Sequence, residues 1–171
     1  MRNRKVWVSV RGRQQLTEAF WEDSMDMVTS GTLSRGPDGY TLTYMENPET
    51  GMGRTQTTIL FGGGRMVMRH RGEINTHMIF EKGRKHVSYY DTEMGPLTLG
   101  VNTRELRCDI GGAHGPIDLE VDYTLEIDNE ITGANTLSIR VSDRDGYGDG
   151  GVPIDASPPG NVNAGDGIFL N

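Results

Sequence analysis

Tyr44, Glu46, Arg69 and Tyr90 offer the most chemistry when the short runs of this chain are read as strands. Tyr40, Leu42, Tyr44 and Glu46 share one parity of the run Tyr40-Thr41-Leu42-Thr43-Tyr44-Met45-Glu46. Arg65, Val67, Arg69 and Arg71 share a parity of a later run, and His86, Ser88 and Tyr90 of another. Alternate residues of a barrel strand point inward. A lumen holding Tyr44, Glu46, Arg69 and Tyr90 would be an amphipathic pocket, able to orient the carboxylate or hydroxyl of a small ligand. The competing reading makes them rim or surface groups, with a solvated Arg–Glu pair across neighbouring strands. Glu46 with a Tyr or an Arg is also a general acid–base pair. Three functions follow: a small-molecule binder without catalysis, a barrel enzyme using Glu46, and a protein-interaction module acting through a sheet edge or the C-terminal tail.

Other reactive side chains carry less. His70, His77, His86 and His114 show no His-x-His spacing, and no Cys-x-x-Cys is present, so neither a metal nor a cofactor is expected. Cys108, the only cysteine, lacks a visible base or electropositive neighbour and reads as a small buried hydrophobe. Gly62-Gly63-Gly64 is followed by neither Lys-Ser/Thr nor a helical pattern, which points to a hairpin turn rather than a phosphate loop. Asp118, Glu120, Asp122 and Glu126 resemble a carboxylate site. They alternate with Ile117, Leu119, Val121, Tyr123 and Leu125, and so read as the wet face of a half-buried strand. The many methionines either fill a core or line a permissive pocket.

The elements that must position these residues are short period-2 segments between glycine-bearing turns. Candidate strands run over 5–11, 25–35, 40–46, 55–61, 65–71, 76–80, 86–91, 97–108, 117–127 and 137–141. Gly36-Pro37-Asp38-Gly39 and Asp128-Asn129-Glu130 are turns. Residues 14–23 allow a short helix or a loop. Gly31 suggests a bend or bulge, and the 97–108 strand is expected to bend near Gly100. Hairpin after hairpin predicts an all-β antiparallel meander closed into a β-barrel of about 8–10 strands, with a two-sheet sandwich as the rival. The barrel domain spans 1–142. Residues 143–171, rich in Gly, Pro, Asn and Asp, read as a flexible tail.

Composition bounds the partners. A chain of 171 residues with net charge −7 lacks the basic surface that nucleic acid or an anionic membrane requires. A single cysteine cannot form an internal disulfide, which favours a reducing compartment. The apolar stretch after the basic start, Val6-Trp7-Val8-Ser9-Val10, is cut off by Arg11 and Arg13, too short for a signal core. No stretch approaches the ~20 apolar residues of a membrane helix. A cytoplasmic protein with a small amphipathic ligand is the expectation; the oligomeric state is left open.

Leu42-Thr43-Tyr44-Met45-Glu46, with Thr50-Gly51-Met52 and Thr57-Thr58, resembles the YwiB-like family of small bacterial proteins. Met78-Ile79-Phe80-Glu81-Lys82-Gly83, leading to Tyr90-Asp91-Thr92, Gly95 and Thr103, extends the resemblance, which runs from about Val6 to Val141. It implies a calycin-type, lipocalin-like β-barrel with a cavity and no established activity. Matching positions are Tyr44, Glu46, Thr50, Gly51, Thr58, Phe80, Tyr90, Thr92, Gly95 and Thr103. The basic residue that the family carries before a glycine falls within Arg69-His70-Arg71-Gly72.

Overall fold

The computed structural model describes residues 3–16, 22–47, 53–92, 94–112 and 115–144. Of the expected tail over 143–171, Asp143 ends the last strand and 145–171 lie outside the described residues, as do the 17–21 connection and His114. Ten strands follow in order: β1 (Asn3–Leu16), β2 (Glu22–Gly36), β3 (Gly39–Met45), β4 (Thr55–Gly62), β5 (Arg65–Gly72), β6 (Thr76–Glu81), β7 (Lys85–Thr92), β8 (Gly95–Ile110), β9 (Ile117–Ile127) and β10 (Glu130–Asp143). All pair antiparallel in one sheet of order β6-β5-β4-β3-β2-β1-β10-β9-β8-β7. No helix occurs among the described residues. Every neighbour in the sheet is a neighbour in the chain except β1 and β10, which join the two ends of the meander.

The sheet curls into a nearly closed barrel. Its free edges, β6 and β7, meet without a backbone ladder between them. At one end the β6–β7 turn is tied to β8, where Gly83 N donates to Thr103 O (2.9 Å) and Thr103 N to Arg84 O (3.1 Å). Inside that end the Phe80 and Tyr123 rings meet edge-to-face at 4.9 Å. At the other end, the Ser88 hydroxyl donates to the His77 carbonyl across the gap (2.6 Å). The seam is thus bridged by a side chain where a ladder would otherwise run.

Strand alternation fills the interior. Val6, Val8 and Val10 of β1, Met25, Met27 and Leu33 of β2, and Leu42 of β3 are buried. So are Ile59, Met66, Met68, Met78 and Phe80 from β4 to β6, and the apolar parity of β9 and β10. Burial of this kind is worth about 1.5–3 kcal/mol per large side chain. The central lumen is therefore packed with methionine, leucine and aromatic side chains. Met25, Met27, Met66, Met68 and Met78 take the core-filling role of the two that the sequence leaves open, whereas Met45 and Met94 are exposed.

Some local expectations change. Gln14 and Leu16 belong to β1 and Glu22 to β2, so both flanks of the 14–23 segment are strand rather than helix or loop. The register of β2 runs unbroken through Gly31, which marks close approach rather than a bulge. A Cβ there would lie 2.8 Å from Thr43 O and 3.0 Å from Val8 Cγ2. β8 shifts register between Thr103 and Glu105, not at Gly100. Gly63 and Gly64, with φ of 61° and 76°, form a two-residue hairpin loop that suits glycine. Cys108 is exposed, against the buried position expected for it.

Candidate functional site

The four side chains singled out by sequence do not form one pocket. Tyr44 and Glu46 are inside, 3% and 8% exposed. Tyr90 is half-buried on the inward parity of β7 and pairs with Leu97. Arg69 is exposed on the outer face of β5. The parity read for that strand is inverted: Met66, Met68 and His70 point in, while Arg65, Arg69 and Arg71 point out. Its apolar content carried the signal, since two methionines and His70 share one face and three arginines the other. Burying the arginine face would have cost the desolvation of three unpaired charges.

The inversion brings His70 to Tyr44 and Glu46. One cross-strand row runs Gly31, Tyr44, Thr57, His70, Thr76 through β2 to β6. Glu46, just past β3, is held by its own N–H donating to Thr55 O (2.8 Å). The Thr57 hydroxyl donates to Glu46 Oε1 at 2.5 Å and lies 2.8 Å from His70 Nδ1. The Glu46 and His70 side chains are 2% and 0% exposed, with Oε1 and Nδ1 4.0 Å apart.

Proton counting fixes the tautomer. A threonine hydroxyl has one proton, and here Glu46 receives it. Toward His70 the same oxygen accepts, so Nδ1 carries the imidazole proton. Burial pushes the His70 imidazole down from 6.5 to about 4, so the ring is neutral at neutral pH. Its Nε2 is then a bare acceptor. That atom is buried and has no hydrogen-bond partner among the described residues, and Thr76 Oγ1 on the paired strand is in the same condition. Burial, and then the adjacent charge of Glu46, hold the Tyr44 phenol well above its usual range.

An open hollow of about 520 Å³ lies at this end of the seam. Its walls are Arg69, Arg71, His77 and Tyr89 from outer faces, and His70, Asn75 and Thr76 from the rim and interior. Residues from both faces of β5 and β6 meet here because the ladder stops at β6. The Asn75 amide donates to Gly72 O (2.8 Å) and fixes the β5–β6 turn that forms one wall. Tyr89, 77% exposed, reaches it from β7. Burial, and then the charge of Arg69, lower the His77 imidazole. A second hollow, of about 310 Å³, lies at the opposite end of β3 and β4 beside the stacked Tyr40 and Phe61 rings.

Other polar groups have structural roles. Asp118, Glu120, Asp122 and Glu126 are partnered on the barrel exterior by Arg140, Arg107, Arg104 and Lys85. His86 Nε2 is 3.1 Å from Glu81 Oε1. Among the motif positions, Thr92 Oγ1 donates to Gly95 O (2.6 Å) and closes a turn, while Phe80 packs in the core. No group of three or more His, Cys, Asp or Glu gathers as a metal site among the described residues. No helix long and apolar enough to cross a membrane occurs among the described residues.

Comparison with known proteins agrees with this architecture. The ywiB protein from Bacillus subtilis, known from a crystal structure, superposes with a TM-score of 0.66 over 82% of this chain and 92% of that one, at 13% identity. At that identity the likeness concerns the fold alone. A search of curated proteins finds no match. A family model described as a domain of unknown function, DUF1934, matches residues 8–139. With most of the barrel inside that match, the chain belongs to the DUF1934 family, the group of YwiB-like barrels that its motifs resemble.

Proposed function

We propose that this protein is a cytoplasmic, non-catalytic small-molecule-binding barrel of calycin-like type, whose ligand occupies the hollow at the β6–β7 seam rather than the central lumen. One observation carries the reading. His70 Nε2 and Thr76 Oγ1 are buried, lack partners among the described residues, and belong to two residues that border the same hollow. An unsatisfied buried polar atom costs about 1–3 kcal/mol, which a ligand supplying the missing bond offsets. The volume is within the range of small-molecule sites. The exposed free thiol of Cys108 is compatible with a reducing compartment.

Binding is favoured over catalysis by the state of His70. A general base works best with a pKa near the operating pH. An imidazole lowered to about 4 accepts a hydrogen bond well and removes a proton poorly. Of the partners that sequence offers Glu46 for an acid–base pair, Arg69 lies outside the barrel, and Tyr44, buried beside the Glu46 charge, has its phenol raised well above its usual range and gives up a proton poorly.

Native mass spectrometry of gently purified protein, against a denatured control, tests the proposal. The expected result is an extra mass that leaves on denaturation and is absent from His77→Trp, which fills the hollow from its exposed side. An apo mass, together with a fragment screen that leaves the NMR signals of His70, Thr76 and His77 unmoved, would refute it.

A further inference from the structure

Arg69 and Arg71 stand two residues apart on the outer face of β5, and neither makes an ion pair among the described residues. Several other outer cations have carboxylate partners, although the exposed Arg35, Arg54 and Arg65 also lack an ion pair among the described residues. Arg11 meets Asp26, Lys82 meets Glu105, Lys85 meets Glu126, and Arg104, Arg107 and Arg140 meet carboxylates of β9. On β5 the cross-strand neighbours are neutral: Arg69 faces Thr58 and His77, and Arg71 faces Gln56. The wall of the seam hollow includes both arginines and no carboxylate. A locally cationic hollow in a chain of net charge −7 is a specific feature rather than a general basic surface.

The floor of the hollow has the opposite demand. Thr57 gives its proton to Glu46, so His70 Nδ1 is a donor and Nε2 an acceptor. A neutral acceptor with no proton of its own is satisfied by an O–H or N–H of the ligand. Thr76 Oγ1, on the residue paired with His70, can give or take a hydrogen bond beside it. A carboxylate or phosphate oxygen placed on Nε2 would set a lone pair against a lone pair. The anionic group of a ligand therefore belongs at the rim and a hydroxyl at the floor.

We propose that the hollow recognises a small hydroxylated anion, a phosphate monoester or a carboxylate bearing a free hydroxyl, with the anion on Arg69 and Arg71 and the hydroxyl donating to His70 Nε2. This rests on the seam hollow being the binding site. Guanidinium groups suit either oxyanion through paired N–H donors. Tyr89 is placed to cover the carbon skeleton between the two ends.

Calorimetric titration at low salt with glycerol 3-phosphate, glycerate, inorganic phosphate and glycerol separates the parts. The expected order puts glycerol 3-phosphate or glycerate about tenfold or more tighter than inorganic phosphate, with glycerol weakest, as one hydrogen bond to an otherwise unsatisfied buried acceptor predicts. Arg69→Ala and Arg71→Ala, both exposed and outside the core, each weaken the hydroxylated anion about tenfold. His70→Asn retains a donor toward Thr57 but has no acceptor at the Nε2 position. It keeps phosphate binding and loses the preference for the hydroxylated anion. Anion binding also raises the His77 pKa by offsetting Arg69, which histidine NMR reads independently of folding. Equal affinity for inorganic phosphate and glycerol 3-phosphate would overturn the hydroxyl assignment. A retained neutral ligand, insensitive to both arginine variants, would overturn the whole inference while leaving the binding function in place. A hollow that takes no ligand of any kind would remove both.

Discussion

Acid should weaken this fold through His70, and the size of the effect follows from its burial. The imidazole is pushed from 6.5 to about 4 by removal from water. The unfolded chain therefore takes up a proton at His70 before the folded chain does. Stability from keeping this ring neutral is fully present above about pH 6.5 and is lost as pH falls through about 4. Linkage over this interval gives a loss of about 2 kcal/mol between pH 7 and about pH 5, and about 3 kcal/mol by about pH 4. For a domain of this size that is a large part of the total stability. Urea unfolding of the wild type and His70→Asn, at steps of pH, isolates the contribution, because the carboxylates titrate in both proteins. The wild-type advantage is expected to shrink by about 3 kcal/mol across the window. Parallel curves would mean that the ring titrates normally. A wild-type advantage that grows on mild acidification would mean that Glu46 holds His70 as an imidazolium, and the reasoning would be refuted.

Further predictions concern the row that carries the site and the core behind it. Thr57→Val keeps the shape but breaks the bonds to Glu46 and His70, and should cost about 3 kcal/mol by urea unfolding at pH 7; a loss below about 1 kcal/mol would mean that the two bonds are replaced. Gly31→Ala sets a methyl between Thr43 O and Val8 and should cost about 2 kcal/mol, while a neutral result would mean that β2 can move away from β3. Met68→Ala, at a fully buried side chain, should cost about 3 kcal/mol; a Met68 that tolerates truncation would imply a loosely packed lumen. The double variant Arg69→Ala/Arg71→Ala should leave the unfolding free energy within about 0.5 kcal/mol, since neither side chain is buried or ion-paired.

The meander was legible because period-2 alternation and turn residues are local signals. Ile117 to Ile127 alternates with Asp118 to Glu126, and the fold keeps that division. Gly62-Gly63-Gly64 turns as its residues suggest. On β5 the arginine parity suggests a ligand face, but the alternate parity of Met66, Met68 and His70 is the one that the core buries. Thr57 and Thr76 carry no sequence signal of their own. A threonine is common on either face of a strand, and only the register that pairs Thr57 with both Tyr44 and His70 makes it the bridge. The hollow was equally invisible. It depends on the ladder ending between β6 and β7, a property of how ten strands close, and no single run encodes it.

A side-chain ¹⁵N–¹H correlation spectrum of the histidines at pH 7 tests the central claim most directly. The Glu46–Thr57–His70 line predicts a neutral His70 with its proton on Nδ1, held toward Thr57, and an unprotonated Nε2 available to a ligand donor. A proton on Nε2, or a His70 charged on both nitrogens, would contradict it and leave the floor of the hollow without its acceptor.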